Sequence, residues 1–395
     1  MKKKFLFLFF INLLLASCTF KSSSFIPPPI QKLSQVNQIN DSTTTEFKKI
    51  YLLLPLSGKI SGSGNAIRNG FLTAYEESRQ HGQNNILITS IDTNGKDTKD
   101  LYSQAIAEGA EFIIGPLMKS EVENIATIGV LAVPTLALNT TDKYSRNKIP
   151  NLYQFGLSSR DEAVQISQKA WEQNLRQALI IAPDSARGQS LAVTLNDAWQ
   201  YFGGTIKNTI LYTNITNANQ KLRETLGINI DKNPSHSAKF QPYSGDDIDV
   251  VFLIASPEQG RQINPLIRFY LNPNIPVYSI SEIYSGIEKP DLDMDLEGIT
   301  FCDMPWVSQI NNLPESLLSL QNDLKAYPDY KNYSRLYALG IDAYYLMINF
   351  KQLSSDSSIS FSGATGLLNI DQYQHVYRRL NFSRIINGVP KRIGS

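Results

Sequence analysis

From residue 50 onward, short apolar runs alternate with longer stretches whose apolar residues recur every three to four positions. Residues 50–56 form one such run, followed by turn residues, and predict a buried strand. Ala66, Ile67, Gly70, Phe71, Ala74 and Tyr75 then fall on one helical face. Further strands are expected over 86–91, 112–114, 131–138, 178–182, 205–212, 249–255 and 277–280. Helices are expected over 101–108, 121–128, 191–202 and 258–270, with Gly129 and Gly203-Gly204 as stops. Ser159 and Glu162 have the spacing of a capping box and open a helix through Trp171. Repeated strand–helix alternation implies the α/β class, with parallel sheets flanked by helices on both faces. Residues 231–247 are polar, with Pro and Ser, and read as a surface loop. Asn387-Gly388 between apolar residues reads as a hairpin turn. Two lobes joined by crossing strands and one doubly wound domain both suit this pattern.

The chain's ends behave differently. Lys2, Lys3 and Lys4 precede an apolar run over 5–15, interrupted only by Asn12. That run is too short to span a bilayer and reads as a signal peptide over 1–17. Leu15-Ala16-Ser17-Cys18 has the form of a bacterial lipobox, which would make Cys18 the lipidated first residue of the mature chain. Thr19, and not Asp, follows it, which favours the outer membrane. Residues 18–47 are rich in Ser, Thr, Asn, Gln and Pro and read as a flexible tether. About 30 such residues reach roughly 30 Å as a coil and roughly 100 Å when stretched. At the other end, Tyr377-Arg378-Arg379-Leu380, Arg384, Lys391 and Arg392 form a locally basic stretch, either a charge-protected edge or a face for an acidic partner.

Composition narrows the chemistry. The chain has 395 residues, 42% hydrophobic and 18% charged, as globular proteins do. Basic and acidic residues number 37 and 36, and loss of the leader leaves a slightly acidic chain, so no nucleic-acid footprint is present. Three His residues (His81, His236, His375) stand far apart, and no Cys-x-x-Cys or His-Glu-x-x-His spacing occurs. There is no Gly-x-Ser-x-Gly elbow. Cys302, beside Phe301 and near Met304, reads as a buried apolar residue. The expectation is therefore a protein without catalytic residues, metal or cofactor. Gly62-x-Gly64 in the first strand-to-helix connection lacks the third Gly of a dinucleotide fingerprint and any Walker Lys. In open α/β sheets the carboxyl ends of strands line the cleft. Ser57, Gly58, Gly115, Pro116, Asn139, Thr140, Ser256 and Ser279 are the cleft candidates on that rule, and Asp303 is the one obvious carboxylate.

Several phrases resemble the C-terminal domain of the LpoA family of penicillin-binding-protein activators. They include Leu52-Leu53-Leu54-Pro55-Leu56-Ser57-Gly58, Ile114-Gly115-Pro116-Leu117, Phe301-Cys302-Asp303-Met304-Pro305-Trp306, Tyr337-Ala338-Leu339-Gly340-Ile341-Asp342-Ala343-Tyr344 and Gly363-Ala364-Thr365-Gly366-Leu367-Leu368. The resemblance runs over about 48–390 and implies a two-lobed, type I periplasmic-binding-protein-like fold. Lobe one would be 48–156 plus 307–362, and lobe two 157–306 plus 363–395. Asp303, Met304, Pro305 and Trp306 would lie at a crossing, where a rigid Pro and a bulky Trp restrict hinge movement. The implied function is an outer-membrane lipoprotein that activates a class A penicillin-binding protein, with peptidoglycan contact possible and no chemistry of its own. Larger members carry a helical N-terminal domain in the place held here by the tether. The competing expectation is a solute-binding lipoprotein of an importer for amino acids or related small molecules, with Asp303 holding the ammonium group.

Overall fold

The computed structural model describes residues 35–37, 46–82, 85–141, 148–228, 247–308 and 313–394. The signal peptide, Cys18, most of the tether and all of the 231–247 loop except Asp247 lie outside these residues.

The strands are β1 (Gln35–Asn37), β2 (Lys49–Leu54), β3 (Leu87–Asp92), β4 (Phe112–Ile114), β5 (Thr135–Ala137), β6 (Leu152–Gln154), β7 (Gln177–Pro183), β8 (Thr205–Tyr212), β9 (Val250–Leu253), β10 (Val277–Ser279), β11 (Ile299–Asp303), β12 (Ile359–Ser362), β13 (Leu367–Ile370), β14 (Val376–Arg379), β15 (Asn381–Ile386) and β16 (Val389–Arg392). The helices are α1 (Ser61–Gln80), α2 (Thr98–Ala107), α3 (Lys119–Ala126), α4 (Ser159–Glu172), α5 (Ala186–Tyr201), α6 (Ile215–Thr225), α7 (Pro257–Tyr270), α8 (Pro290–Asp293), α9 (Pro305–Ser308), α10 (Glu315–Leu324), α11 (Tyr330–Ile348) and α12 (Phe350–Ser355).

Two large sheets result. One is parallel, ordered β3-β2-β4-β5-β6. The other is ordered β16-β15-β11-β10-β9-β7-β8. It is parallel from β8 to β11, and the β15–β16 hairpin then closes its edge in antiparallel pairing. The expected turn is present: Asn387 and Gly388 both have positive φ, the backbone a two-residue hairpin loop needs.

Period-two alternation explains the layers, since successive side chains point to opposite faces. In the first sheet Tyr51, Leu53 and Ile113 face Leu101, Tyr102, Val122 and Ile125 of α2 and α3. Ile50, Leu52, Leu54 and Phe112 face Ala66, Ile67 and Phe71 of α1 and Tyr344 of α11. In the second sheet Ile180, Val250, Phe252 and Tyr278 meet α4 and α5 through Ile166, Leu195 and Trp199. Leu179, Val251, Leu253 and Val277 meet α6 and α7 through Leu222, Ile263 and Ile267.

The Gly62-x-Gly64 part of the connection after β2 proves to be helix. α1 begins at Ser61, so Gly62 and Gly64 lie in its first turn. A Cβ on Gly64 would sit 2.1 Å from the Pro55 carbonyl oxygen, and one on Gly188, early in α5, 2.1 Å from that of Pro183. Each glycine lets a helix start pack onto the strand end before it. Close approach, and not anion binding, accounts for them. The strand expected over 131–138 is confined to Thr135–Ala137. The N-cap of α4 is Ser158, whose side chain accepts from Asp161 N, so the expected Ser159–Glu162 capping box is not formed.

The chain passes between the sheets three times: after β6, after β11, and through β12, β13 and β14. These last strands form a small sheet of order β1-β12-β13-β14, and His375 makes a bridge to Gln154 at the end of β6.

Candidate functional site

The three passages are stitched together by buried polar groups. Trp306 N donates to Ala364 O, joining the second passage to the third. Arg378 on β14 donates from Nε to Gly156 O at 3.1 Å and from Nη1 to Thr365 O at 3.4 Å, joining the third to the first. Arg378 is only 1% exposed. The sequence placed it on a basic edge; the structure buries it.

Glu162 lies 3.8 Å from the Arg378 guanidinium. Instead of capping α4, its Oε2 accepts from Ser281 N at 3.0 Å and Ser281 Oγ at 2.8 Å. Burial pushes the Glu162 carboxyl up to about 7, against the downward pull of Arg378. Its folded value thus lies above its ordinary 4.5. The stability it contributes is whole below pH 4.5 and is lost as the pH rises toward 7. Urea unfolding of wild type and Glu162→Gln at pH 5 and pH 8 is expected to show this. The wild-type advantage over the variant should shrink by up to about 3 kcal/mol on going to pH 8. An advantage that stays level or grows would contradict the assignment.

Asp303, at the end of β11 and 1% exposed, faces Arg335 of α11. Arg335 Nε lies 3.2 Å from Asp303 Oδ1 and Nη2 2.5 Å from Oδ2, a fork that matches the carboxylate plane. Arg335 Nη2 also donates to Tyr284 O at 3.1 Å. This ion pair spans the gap between the seven-stranded sheet and the helix that covers the five-stranded one. Asp342, also on α11, accepts from Ala364 N at 2.7 Å, Thr365 N at 2.6 Å and Thr365 Oγ1 at 2.5 Å. Burial pushes its carboxyl up to about 6, with the Thr365 bonds opposing.

The nine cleft candidates part company here. Asp303 alone enters the charged cluster. Ser57 is exposed, and its turn is held by Asp92, which accepts from Leu56 N and Ser57 N, and by Asn94, which donates to Ser57 Oγ. The Ser57 hydroxyl holds the Asp92 carboxyl at about 2. A Cβ on Gly58 would meet the Asn94 side chain at 2.8 Å. Gly115 and Pro116 are buried, with Gly115 against the Leu53 carbonyl. Asn139 Oδ1 accepts from Thr140 N while its Nδ2 donates to Leu117 O. Ser256 caps α7, and Ser279 Oγ donates to Leu253 O at 2.6 Å. Turn and cap duties therefore occupy most of the polar strand ends. Cys302 is buried, and burial raises its thiol well above the ordinary value, so no thiolate is offered. Among the described residues no cluster of three or more His, Cys, Asp or Glu could hold a metal. Such an arrangement clamps backbone passages.

Comparison with known proteins fits this picture. The LppC lipoprotein family model matches residues 18–388. The penicillin-binding protein activator LpoA of Vibrio cholerae is 28% identical over 349 residues, covering 84% of this chain and 56% of its own length. The chain thus spans little more than half of that curated relative. The solved C-domain of Haemophilus influenzae LpoA, described as a regulator of PBP1A, matches with a TM-score of 0.68 at 25% identity, over 88% of this chain and 100% of its own. A branched-chain amino acid ABC transporter protein from Rhodospirillum rubrum gives the same TM-score at 13% identity, over 88% of this chain and 100% of its own. That likeness shows the shared two-lobed periplasmic-binding-protein-like fold.

Proposed function

The chain belongs to the LppC lipoprotein family, and from that premise we propose that it is a lipid-anchored regulator that binds and activates a class A penicillin-binding protein. The carrying observation is the Arg335–Asp303 fork. It ties the end of β11 to α11 with the protein's own charges, at the carboxyl ends of the strands where a solute receptor of this fold would hold its ligand. A strand end held in this way suits a protein that acts by surface contact. The lobes of this reading are 48–156 plus 307–362 and 157–306 plus 363–395. The β13–β14 hairpin pairs with β12 in the small four-stranded sheet, and the chain joins the seven-stranded sheet only at Asn381. Acylation of Cys18, with Thr19 beside it, puts the anchor in the outer membrane in this reading; since β1 (Gln35–Asn37) pairs with β12, the reach into the peptidoglycan layer comes from the part of the 18–47 tether before residue 35. The protein itself performs no chemistry in this account.

The test is direct binding of the detergent-extracted full-length lipoprotein to the purified class A synthase of the same organism. Association tighter than about 50 µM is expected. No association at that level contradicts the proposal. A parallel thermal-shift screen of amino acids should leave the melting temperature unmoved. Stabilisation near about 2.7 kcal/mol at 100 times a dissociation constant would favour the importer receptor instead.

A further inference from the structure

A second concavity lies at the opposite end of the seven-stranded sheet from Asp303. It is a groove of about 560 Å³ below the starting ends of β10 and β11. Arg268 of α7 and Arg384 of β15 both line it. Arg268 is fixed by Nη1, which donates to Pro273 O at 2.8 Å and Ile275 O at 2.7 Å. Arg384 is fixed by Nε, which donates to Thr300 Oγ1 at 3.2 Å. Among the described residues neither guanidinium has a carboxylate within the 4.0 Å of a salt bridge. Asp295 and Glu297 are on the rim, exposed and outside that distance. Burial, and then the Arg384 charge, hold Arg268 below its ordinary value, so the two cations feel each other. Lys391 stands directly opposite Arg384 across the β15–β16 ladder, on the same sheet face. Like charges so placed destabilise a sheet. Two arginines thus line the groove with Lys391 across the ladder from one of them, and among the described residues the carboxylate acting on Arg268, Glu297, does so without forming a salt bridge.

The rest of the lining mixes prolines, Ile275 and Met294 with Asn264, Asn274 and the two rim carboxylates. Met294 is 51% exposed. Leu292 and Ile386 are also exposed. A Cβ on Gly388 would lie 2.1 Å from Pro290 O, so the β15–β16 turn, which follows Ile386, packs on α8 beside Leu292. Exposed apolar side chains around an unpaired guanidinium pair mark an interaction surface.

We propose that this groove docks an acidic peptide segment of the partner synthase, with a carboxylate between Arg268 and Arg384 and its apolar neighbours against Ile275 and Met294. The inference rests on the activator reading. Its test is the affinity of the full-length protein for the purified class A synthase, wild type against Arg268→Gln/Arg384→Gln. At least tenfold weaker binding is expected, with a shallower dependence on salt because two charge contacts are gone. Met294→Glu, at an exposed position, should weaken binding similarly and keeps the test valid if the double variant unfolds. Unchanged affinity in folded variants, with wild type binding, overturns the groove while leaving the activator reading intact. Variants that bind the synthase normally but lose retention on purified peptidoglycan also overturn it. No binding by wild type removes the activator reading itself.

Discussion

Asp303→Ala is expected to lower the unfolding free energy by about 3–5 kcal/mol, the cost of removing one partner of a buried ion pair. The substitution strands the Arg335 guanidinium, whose Nε and Nη2 lose both carboxylate oxygens and keep only the Tyr284 and Ser281 carbonyls. It also orphans Met304 N, which donates to Asp303 Oδ1 at 2.8 Å. Urea unfolding followed by circular dichroism measures the loss. The double substitution Asp303→Ala/Arg335→Met should recover part of it, because no unpaired charge then remains. A loss under about 1 kcal/mol for the single variant would mean that the pair is solvated and does not clamp the crevice. Small-angle scattering provides the functional side of the same prediction, since a variant without the fork should populate more open lobe arrangements and show a larger radius of gyration.

Asp342→Ala should cost a comparable amount, about 3–5 kcal/mol. Three donors converge on this one carboxylate, and bonds to a charged acceptor contribute about 1.5–3 kcal/mol each, with incomplete additivity. Gly363 shows how close the fit is, since a Cβ there would lie 2.6 Å from Asp342 Oδ1. The diagnostic readout is amide hydrogen exchange. Ala364 and Thr365 amides should be protected in wild type and exchange rapidly in the variant, while the β2 and β9 amides keep their protection. If all amides lose protection together, Asp342 supports global stability and does not specifically hold the third passage.

The framework of strands and helices was readable because each buried strand is a short apolar run and each covering helix shows one apolar face. Residues 112–114 and 178–182 needed no more than that. The polar cluster was not readable for a physical reason. Glu162 and Ser281 are 119 residues apart, and Gln165 reaches Arg378 across 213. No local period brings such residues together. Glu162 also imitates a capping residue at its spacing from Ser159, and only the Ser158 cap and the bonds of Glu162 to Ser281 show otherwise. Arg335 sits in an ordinary-looking helix start, and no neighbouring residue marks its Asp303 partner. Arg378 looks like one of several edge cations in sequence, whereas the β13–β14 hairpin folds it inward. Arg384, from the same basic stretch, faces the outer groove, so neighbouring charges in one segment end in opposite environments.

The most direct measurement is the fraction of cross-linked peptide in peptidoglycan made by the purified class A synthase with and without the full-length protein. This account predicts a rise in cross-linking that saturates near equimolar protein, and a weakened rise with Arg268→Gln/Arg384→Gln. Cross-linking that stays the same at saturating protein, in a preparation shown to be folded, would contradict it.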